Sequence, residues 1–149
     1  GDFEGTAKRW CENFKRLDTN TQKRVTVEND DKGSMWSTKH LFDYIHSDIG
    51  IPIVFDYHHY KFCTGGQTEQ EALELAMSTW PDGITPVVHY SQSRAEEHND
   101  PKIRPQAHSD SYWAAPNLYG HDLYVMCECK HKEQGVFALR EIINNKAVA

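Results

Sequence analysis

The sequence predicts an α/β fold in which four parallel strands alternate with helices, and three observations carry that expectation. Short β-branched and aromatic runs recur along the chain, and each stops at acids or histidines: Val25-Thr26-Val27 before Glu28, Ile53-Val54-Phe55 before Asp56, Val87-Val88 before His89, and Tyr124-Val125-Met126-Cys127 before Glu128. Between them lie stretches with apolar residues at three- and four-residue spacing, the period of helices. The 149 residues are enough for one domain with its own core, expected over 1–149, and too few for a complete (β/α)8 barrel.

The first helix is expected over residues 6–17, with Thr6 as N-cap and Ala7, Trp10, Phe14 and Leu17 on one face. Asp18-Thr19-Asn20 ends it, and the first strand, from Val25, stops at Glu28-Asn29-Asp30-Asp31. Three carboxylates so close repel one another unless a cation sits among them or solvent spreads the charge. Ser37 caps the next helix, whose buried face is Leu41, Phe42 and Ile45. It leads into Ile53-Val54-Phe55-Asp56-Tyr57-His58-His59, bounded by Gly50 and Pro52 in front and by Gly65-Gly66 behind. Such a run fits a strand buried on both faces of a parallel sheet, where chemistry sits just past the carboxyl end.

Thr68 and Glu71 make a T-x-x-E capping box for a helix striped by Leu73, Ala76, Met77 and Trp80, broken at Pro81-Asp82-Gly83. The third strand runs from Thr85 to Ser91. Residues 92–122 are polar and carry little periodicity, and a segment that long inside a compact domain is usually functional. It holds His98 and the group Gln106-Ala107-His108-Ser109-Asp110, whose alternate positions can present a histidine and an acid on one side. The fourth strand is expected from Leu123 to Lys130, with Glu128 between Cys127 and Cys129, a costly position for an unpaired buried carboxylate. Val136, Leu139 and Ile143 mark a closing helix over residues 133–146.

Composition narrows the class. Hydrophobic residues make up 38% and charged residues 26%, as in soluble globular proteins, and no apolar run is long enough to span a membrane. The acidic start lacks the apolar core of a signal peptide, and the reading of the four cysteines as reduced thiols makes an intracellular location the expectation, nuclear and cytoplasmic not being distinguished. The net charge of −6 argues against a simple electrostatic clamp on nucleic acid, although bound divalent metals would reverse the local sign in a cleft. Cys11, Cys63, Cys127 and Cys129 show no zinc-finger spacing and are read as reduced, packed thiols.

Every strand thus ends in a candidate ligand: Glu28, Asp56 with His59, His89, and Glu128. A purely structural reading makes Asp56 a helix cap and leaves the histidines and the acidic turn to solvent. Four such ends in register point instead to a shared metal site at the C-terminal face of a parallel sheet. Mixed carboxylate and imidazole donors suit manganese, iron or zinc in a hydrolytic site better than structural zinc, which favours thiolates. Sites of more than one metal fit phosphodiester hydrolysis.

Five blocks, Val27-Glu28-Asn29-Asp30-Asp31, Val54-Phe55-Asp56-Tyr57-His58-His59, Val88-His89-Tyr90-Ser91, Ala107-His108-Ser109-Asp110 and Met126-Cys127-Glu128-Cys129-Lys130, resemble the UV damage endonuclease family in order and spacing. The resemblance implies the second half of a metal-dependent (β/α)8 TIM barrel that nicks DNA on the 5′ side of UV photoproducts and other lesions, in DNA repair. It implies Glu28, Asp56, His59, His89, His108 and Glu128 as metal ligands, with Glu28, Asp56, His59, His89 and Glu128 also catalytic. The implied cofactor is a divalent metal, manganese foremost, with zinc or magnesium as alternatives. The implied partners are damaged double-stranded DNA and, to close the barrel, an N-terminal half or a second copy of the chain. The family usually has a metal-bridging modified lysine two residues before the third-strand histidine, where this chain has Val87. Without an N-terminal half, catalysis is expected to be weak or absent.

Two other readings compete with this endonuclease. One is a non-catalytic, metal-binding half barrel with a structural or interaction role, for which Val87 and the acidic balance are natural. The other is a barrel hydrolase or isomerase acting on a small phosphate or sugar. Lys61, Arg94, Lys102, Arg104, Lys130 and Lys132, placed just after strand ends or in the long segment, are the candidate contacts to a duplex.

Overall fold

A computed structural model describes residues 2–147. Helix α1 spans Phe3–Phe14 and begins earlier than its apolar stripe suggests, because the Asp2 carboxylate accepts the Gly5 N–H at 2.9 Å and caps it. Thr6 therefore lies inside the helix. Ala7, Cys11 and Phe14 are its buried residues, while Leu17, past the helix end, is 40% exposed. A further single turn, α2 (Thr19–Gln22), is capped by Asp18. Strand β1 is only Val27–Glu28.

Ser37 caps α3 (Thr38–Leu41) as expected, and the helix continues through a π-helical turn at Phe42–His46 into α4 (Ser47–Ile49). Gly50 ends it with φ 68°, a left-handed conformation that glycine adopts without steric cost. Strand β2 (Ile53–Asp56) passes directly into the single turn α5 (Tyr57–Tyr60). Helix α6 (Glu69–Met77) carries the expected Thr68–Glu71 capping box. It stops before Trp80, which instead donates its indole N–H to the Ile53 carbonyl at 2.8 Å, while the Thr79 hydroxyl accepts the Ile53 N–H at 2.8 Å. These two contacts anchor the start of β2. Strand β3 (Val87–Tyr90), the single turn α7 (Arg94–Glu97), strand β4 (Tyr124–Cys127) and helix α8 (Glu133–Ala147) complete the order. Gly135 sits where a Cβ would collide with the Cys129 sulfur, so this α8 glycine permits close contact with the chain leaving β4.

The four strands form one parallel sheet in sequence order, β1-β2-β3-β4. Register pairs Glu28 with Val54, Asp56 with His89 and His89 with Met126, so the strand ends lie side by side. Alternation along each strand divides the side chains. Ile53, Phe55, Val88 and Tyr90 face the helices and join Leu41, Ile45, Leu73, Ala76 and Leu139 in the core. Glu28, Val54, Asp56, Val87, His89, Tyr124 and Met126 occupy the opposite face. There β2 is buried throughout, but Tyr124 is 66% and Met126 52% exposed.

Strand β4 ends at Cys127, so Glu128 lies just beyond it, half-buried, and escapes the desolvation expected of a buried strand position. All four cysteines are free. Among the described residues no helix is long and apolar enough to cross a membrane.

Candidate metal centre

The centre is built from the strand ends upward. Asn29, fully buried just after β1, accepts the Asp56 N–H at 2.8 Å through its side-chain oxygen and donates its amide to the Asp56 carbonyl at 3.0 Å. This double contact fixes the end of β2 against β1. Asp56 is itself the N-cap of α5: one carboxylate oxygen accepts the N–H groups of His58 at 2.7 Å and His59 at 2.8 Å. The capping role weighed from the sequence is thus real, and it leaves the second oxygen, Oδ2, buried with no partner. Capping and ligand delivery are compatible because they use different oxygens.

Turn α5 swings His59 back over β1. Its Nδ1 lies 2.8 Å from the Asn29 carbonyl and 3.2 Å from Glu28 Oε1. From β3, His89 Nδ1 stands 3.3 Å from both Glu28 Oε1 and Glu128 Oε1, yet its orientation makes no hydrogen bond to either. Ligand atoms of Glu28, Asp56 and His59 lie within 4.8 Å of one another, and so do those of Asp56, His89 and Glu128. Asp56 belongs to both sets. His108 comes from the long segment after β3 and stands beside Glu128, with Nδ1 3.6 Å from Glu128 Oε2, outside both three-residue sets. Its expected neighbour Asp110 turns away, to His98 Nε2 at 2.7 Å.

Electrostatics mark the same place. Burial pushes Asp56 up to about 6, against the opposing pull of His59. Burial would also raise Glu28, but the imidazoles of His59 and His89, 3.2 and 3.3 Å from its Oε1, outweigh it and hold the carboxyl at about 2. Burial would lower His59, yet Glu28 and Asp56 lift it to about 9. His58, fully buried with both ring nitrogens unpartnered, is driven down to about 4 by burial. Two buried donor atoms without partners, Asp56 Oδ2 and His89 Nδ1, set among carboxylates, fit a divalent cation: it would satisfy both and offset the clustered negative charge.

Val87 faces the same side of the sheet, two residues before His89 and paired in register with Tyr124, and its side chain has no donor atom. Of the six candidate basic contacts, Arg94 stands 3.3 Å from Asp110 and Lys61 3.9 Å from Glu96, whereas Lys102, Arg104, Lys130 and Lys132 are exposed. Sequence reasoning missed Asn29, read there as part of an acidic turn. Its only signal was an amide placed directly after the strand.

Comparison with known proteins places the chain. The family model described as "UV-endonuclease UvdE" matches residues 1–148. A UV DNA damage endonuclease of Bacillus cereus (strain B4264) is 32% identical over 146 residues, covering 93% of this chain and 44% of that protein. A UV-damage endonuclease of Neurospora crassa is 31% identical over 152 residues, covering 93% of this chain and 22% of that protein. The crystal structure of SacUVDE superposes with a TM-score of 0.79 at 27% identity, over 97% of this chain and 48% of that one. The chain spans about half the length, or less, of these relatives. Its four parallel strands alternating with helices correspond to half of a TIM barrel.

Proposed function

Since the chain belongs to the UV-endonuclease UvdE family, we propose that it carries the metal-binding half of an endonuclease that nicks DNA 5′ of UV photoproducts and other lesions. The observation that carries this reading is the pair of buried, unpartnered donor atoms, Asp56 Oδ2 and His89 Nδ1, at adjacent parallel strand ends. Glu28, Asp56, His59, His89 and Glu128 would hold divalent ions, manganese before zinc or magnesium, with His108 completing the set from the long segment. A divalent ion bound there supplies Lewis acidity toward a phosphodiester and its leaving oxygen. The chain's own residues fix the geometry. Asn29 holds Asp56 by both backbone groups, turn α5 aims His59, and Glu28 links His59 and His89.

The exposed inward faces of Tyr124 and Met126 support a second element of the proposal: the open side of the sheet is covered by four further strands, from an N-terminal half or a second copy of the chain. Damaged duplex DNA would then lie across the C-terminal face, near Lys102, Arg104, Lys130 and Lys132. The competing reading, a non-catalytic metal-binding half barrel, is favoured by Val87, which can give no ligand.

The test combines metal analysis with a nicking assay on UV-irradiated supercoiled plasmid in manganese. Wild-type chain should bind manganese, and Glu28→Ala and Asp56→Ala should lose it. Nicking should be weak for the chain alone and recover with a complementary first half. Equal metal content in all three proteins removes the metal centre. Bound manganese with no nicking under any pairing leaves the non-catalytic reading.

A further inference from the structure

His108 reaches the centre from a segment that belongs to no strand. The structure shows what holds it. Ser93 and His108 form an isolated antiparallel bridge, in which the Arg94 N–H donates to the Ala107 carbonyl at 2.8 Å and the Ser109 N–H to the Gln92 carbonyl at 2.8 Å. The Ser93 hydroxyl donates to the Pro105 carbonyl at 2.7 Å. On the other side, the Lys130 and His131 N–H groups donate to the carbonyls of Ser109 at 3.0 Å and Asp110 at 2.9 Å. Residues 107–110 thus lie as a strip between the chain leaving β3 and the chain leaving β4.

Glu97 ties the downstream end of this strip. One carboxylate oxygen accepts the Asp110 N–H at 2.6 Å and the other accepts the Ser111 N–H at 3.0 Å, from a side chain only 18% exposed. Backbone N–H groups donating to a carboxylate make short, strong hydrogen bonds. Glu97, His98 and Asp110 also bring ligand atoms within 4.8 Å of one another, which by itself would suggest a second ion site. The surrounding contacts argue otherwise. Both Glu97 oxygens are engaged by the backbone, and Asp110 is met by His98 Nε2 at 2.7 Å and by Arg94 Nε at 3.3 Å. The carboxylates there already have their cations and donors.

We propose that Glu97 is a positioning residue for His108: its carboxylate clamps the backbone of Asp110 and Ser111, and so fixes where the imidazole two residues upstream stands beside Glu128. Without Glu97, two N–H groups lose their acceptor, and what remains is the upstream bridge, the bonds from the chain after β4 and the 3.2 Å contact of His108 Nδ1 with the Glu128 carbonyl, too few to fix the ring in one place. His108 then samples positions away from Glu128. His58, whose ring meets that of His108 edge-on at a centroid distance of 5.5 Å, provides a wall on one side but no hydrogen bond to hold it.

The first arm of the test needs no metal. In chelator-treated full chain, Glu97→Ala should speed hydrogen exchange of the Asp110 and Ser111 amides by about tenfold or more, the loss of roughly one strong hydrogen bond. The His108 imidazole resonances should shift and broaden, while exchange at Phe55 and Leu73 stays unchanged. Glu97→Gln, which keeps one carbonyl acceptor, should fall between, and it decides the matter if the alanine variant unfolds. Unaltered His108 resonances in a folded variant overturn the proposal.

The second arm rests on the metal reading proposed above. Glu97→Ala should weaken manganese binding about tenfold, as loss of an outer support does. Adding Glu97→Ala to His108→Ala should cost nothing more, because the residue acts through His108. Additive losses overturn the proposal. Absence of manganese binding in wild type removes the metal reading but leaves the first arm to decide the role of Glu97.

Discussion

Strands β2 and β4 belong to the same parallel sheet and meet the same layer of helices, yet one is buried at all four positions and the other alternates exposed and half-buried. On the helix side the contrast is smaller: Phe55 is fully buried and Val125 is half-buried against the core. The larger difference is on the inward face. Val54 and Asp56 are covered by their neighbours, whereas among the described residues Tyr124 and Met126 remain largely open. Burial of a strand is thus set by what lies opposite it, not by its own composition. Of the candidate ligands, Glu28, Asp56, His59 and His89 gather at the covered end of the sheet, Glu128 and His108 come from the β4 side, and the partner proposed above would cover the open face.

The largest effect should come from the covered strand. Phe55→Ala removes a fully buried ring and should lower unfolding free energy by about 3–5 kcal/mol in urea titration. A loss under about 1 kcal/mol would mean that β2 is not the core of the sheet. Next, Asn29→Ala deprives the Asp56 N–H and carbonyl of their buried side-chain partners and should cost roughly 2–3 kcal/mol. It should also weaken manganese binding, since Asp56 then keeps only its pairing with β3 and its cap on α5; stability lost with affinity intact would confine Asn29 to the fold.

Protonation sharpens the contrast, because the covered end gathers coupled carboxylates and imidazoles whose protonation is displaced. In the chelated chain Glu28, held at about 2 against an ordinary 4.5, contributes stability that is present above 4.5 and lost as pH falls toward 2. His59, raised to about 9 from 6.5, contributes stability that is full below 6.5 and lost as pH rises through 9. Asp56, raised by burial, opposes Glu28, since its folded form resists ionising between 3.8 and about 6. The alkaline limb is therefore the clean one: urea midpoints should fall between pH 6.5 and 9 in chelator. Manganese should reverse that limb, because binding expels the imidazole proton and tightens as pH rises. A flat profile in chelator would show that His59 and Glu28 are not paired.

The smallest effect belongs to the open end. Met126→Ser should change the stability of the separate chain by less than about 0.5 kcal/mol, as at an exposed site. It should matter only where a complementary half or a second copy covers the face, measured as weaker association in sedimentation. A large loss in the separate, monomeric chain would mean that Met126 is already covered.

Much of this was readable in the sequence, and for identifiable reasons. Ser37 and the Thr68–Glu71 box cap the helices expected of them, because capping depends on residues three apart in the chain. Boundaries failed where a cap lay outside the apolar stripe, as at Asp2, or where an apolar residue served something other than its helix, as Trp80 does by bonding Ile53. Asn29 was missed because its partners sit 27 residues away, on the next strand.

By itself the sequence determined the alternation of strands and helices, and which acids and histidines stand at which strand ends. Those are consequences of local periodicity, set by the two-residue and 3.6-residue repeats of the backbone. Only the tertiary structure decided which donors meet. Parallel register sets Asp56 beside His89, turn α5 folds His59 onto Glu28, and a clamp of backbone contacts separates His108 from Asp110, sending one to Glu128 and the other to His98. Convergence of side chains from separate elements depends on register and on long-range hydrogen bonds, and no stretch of neighbouring residues encodes either.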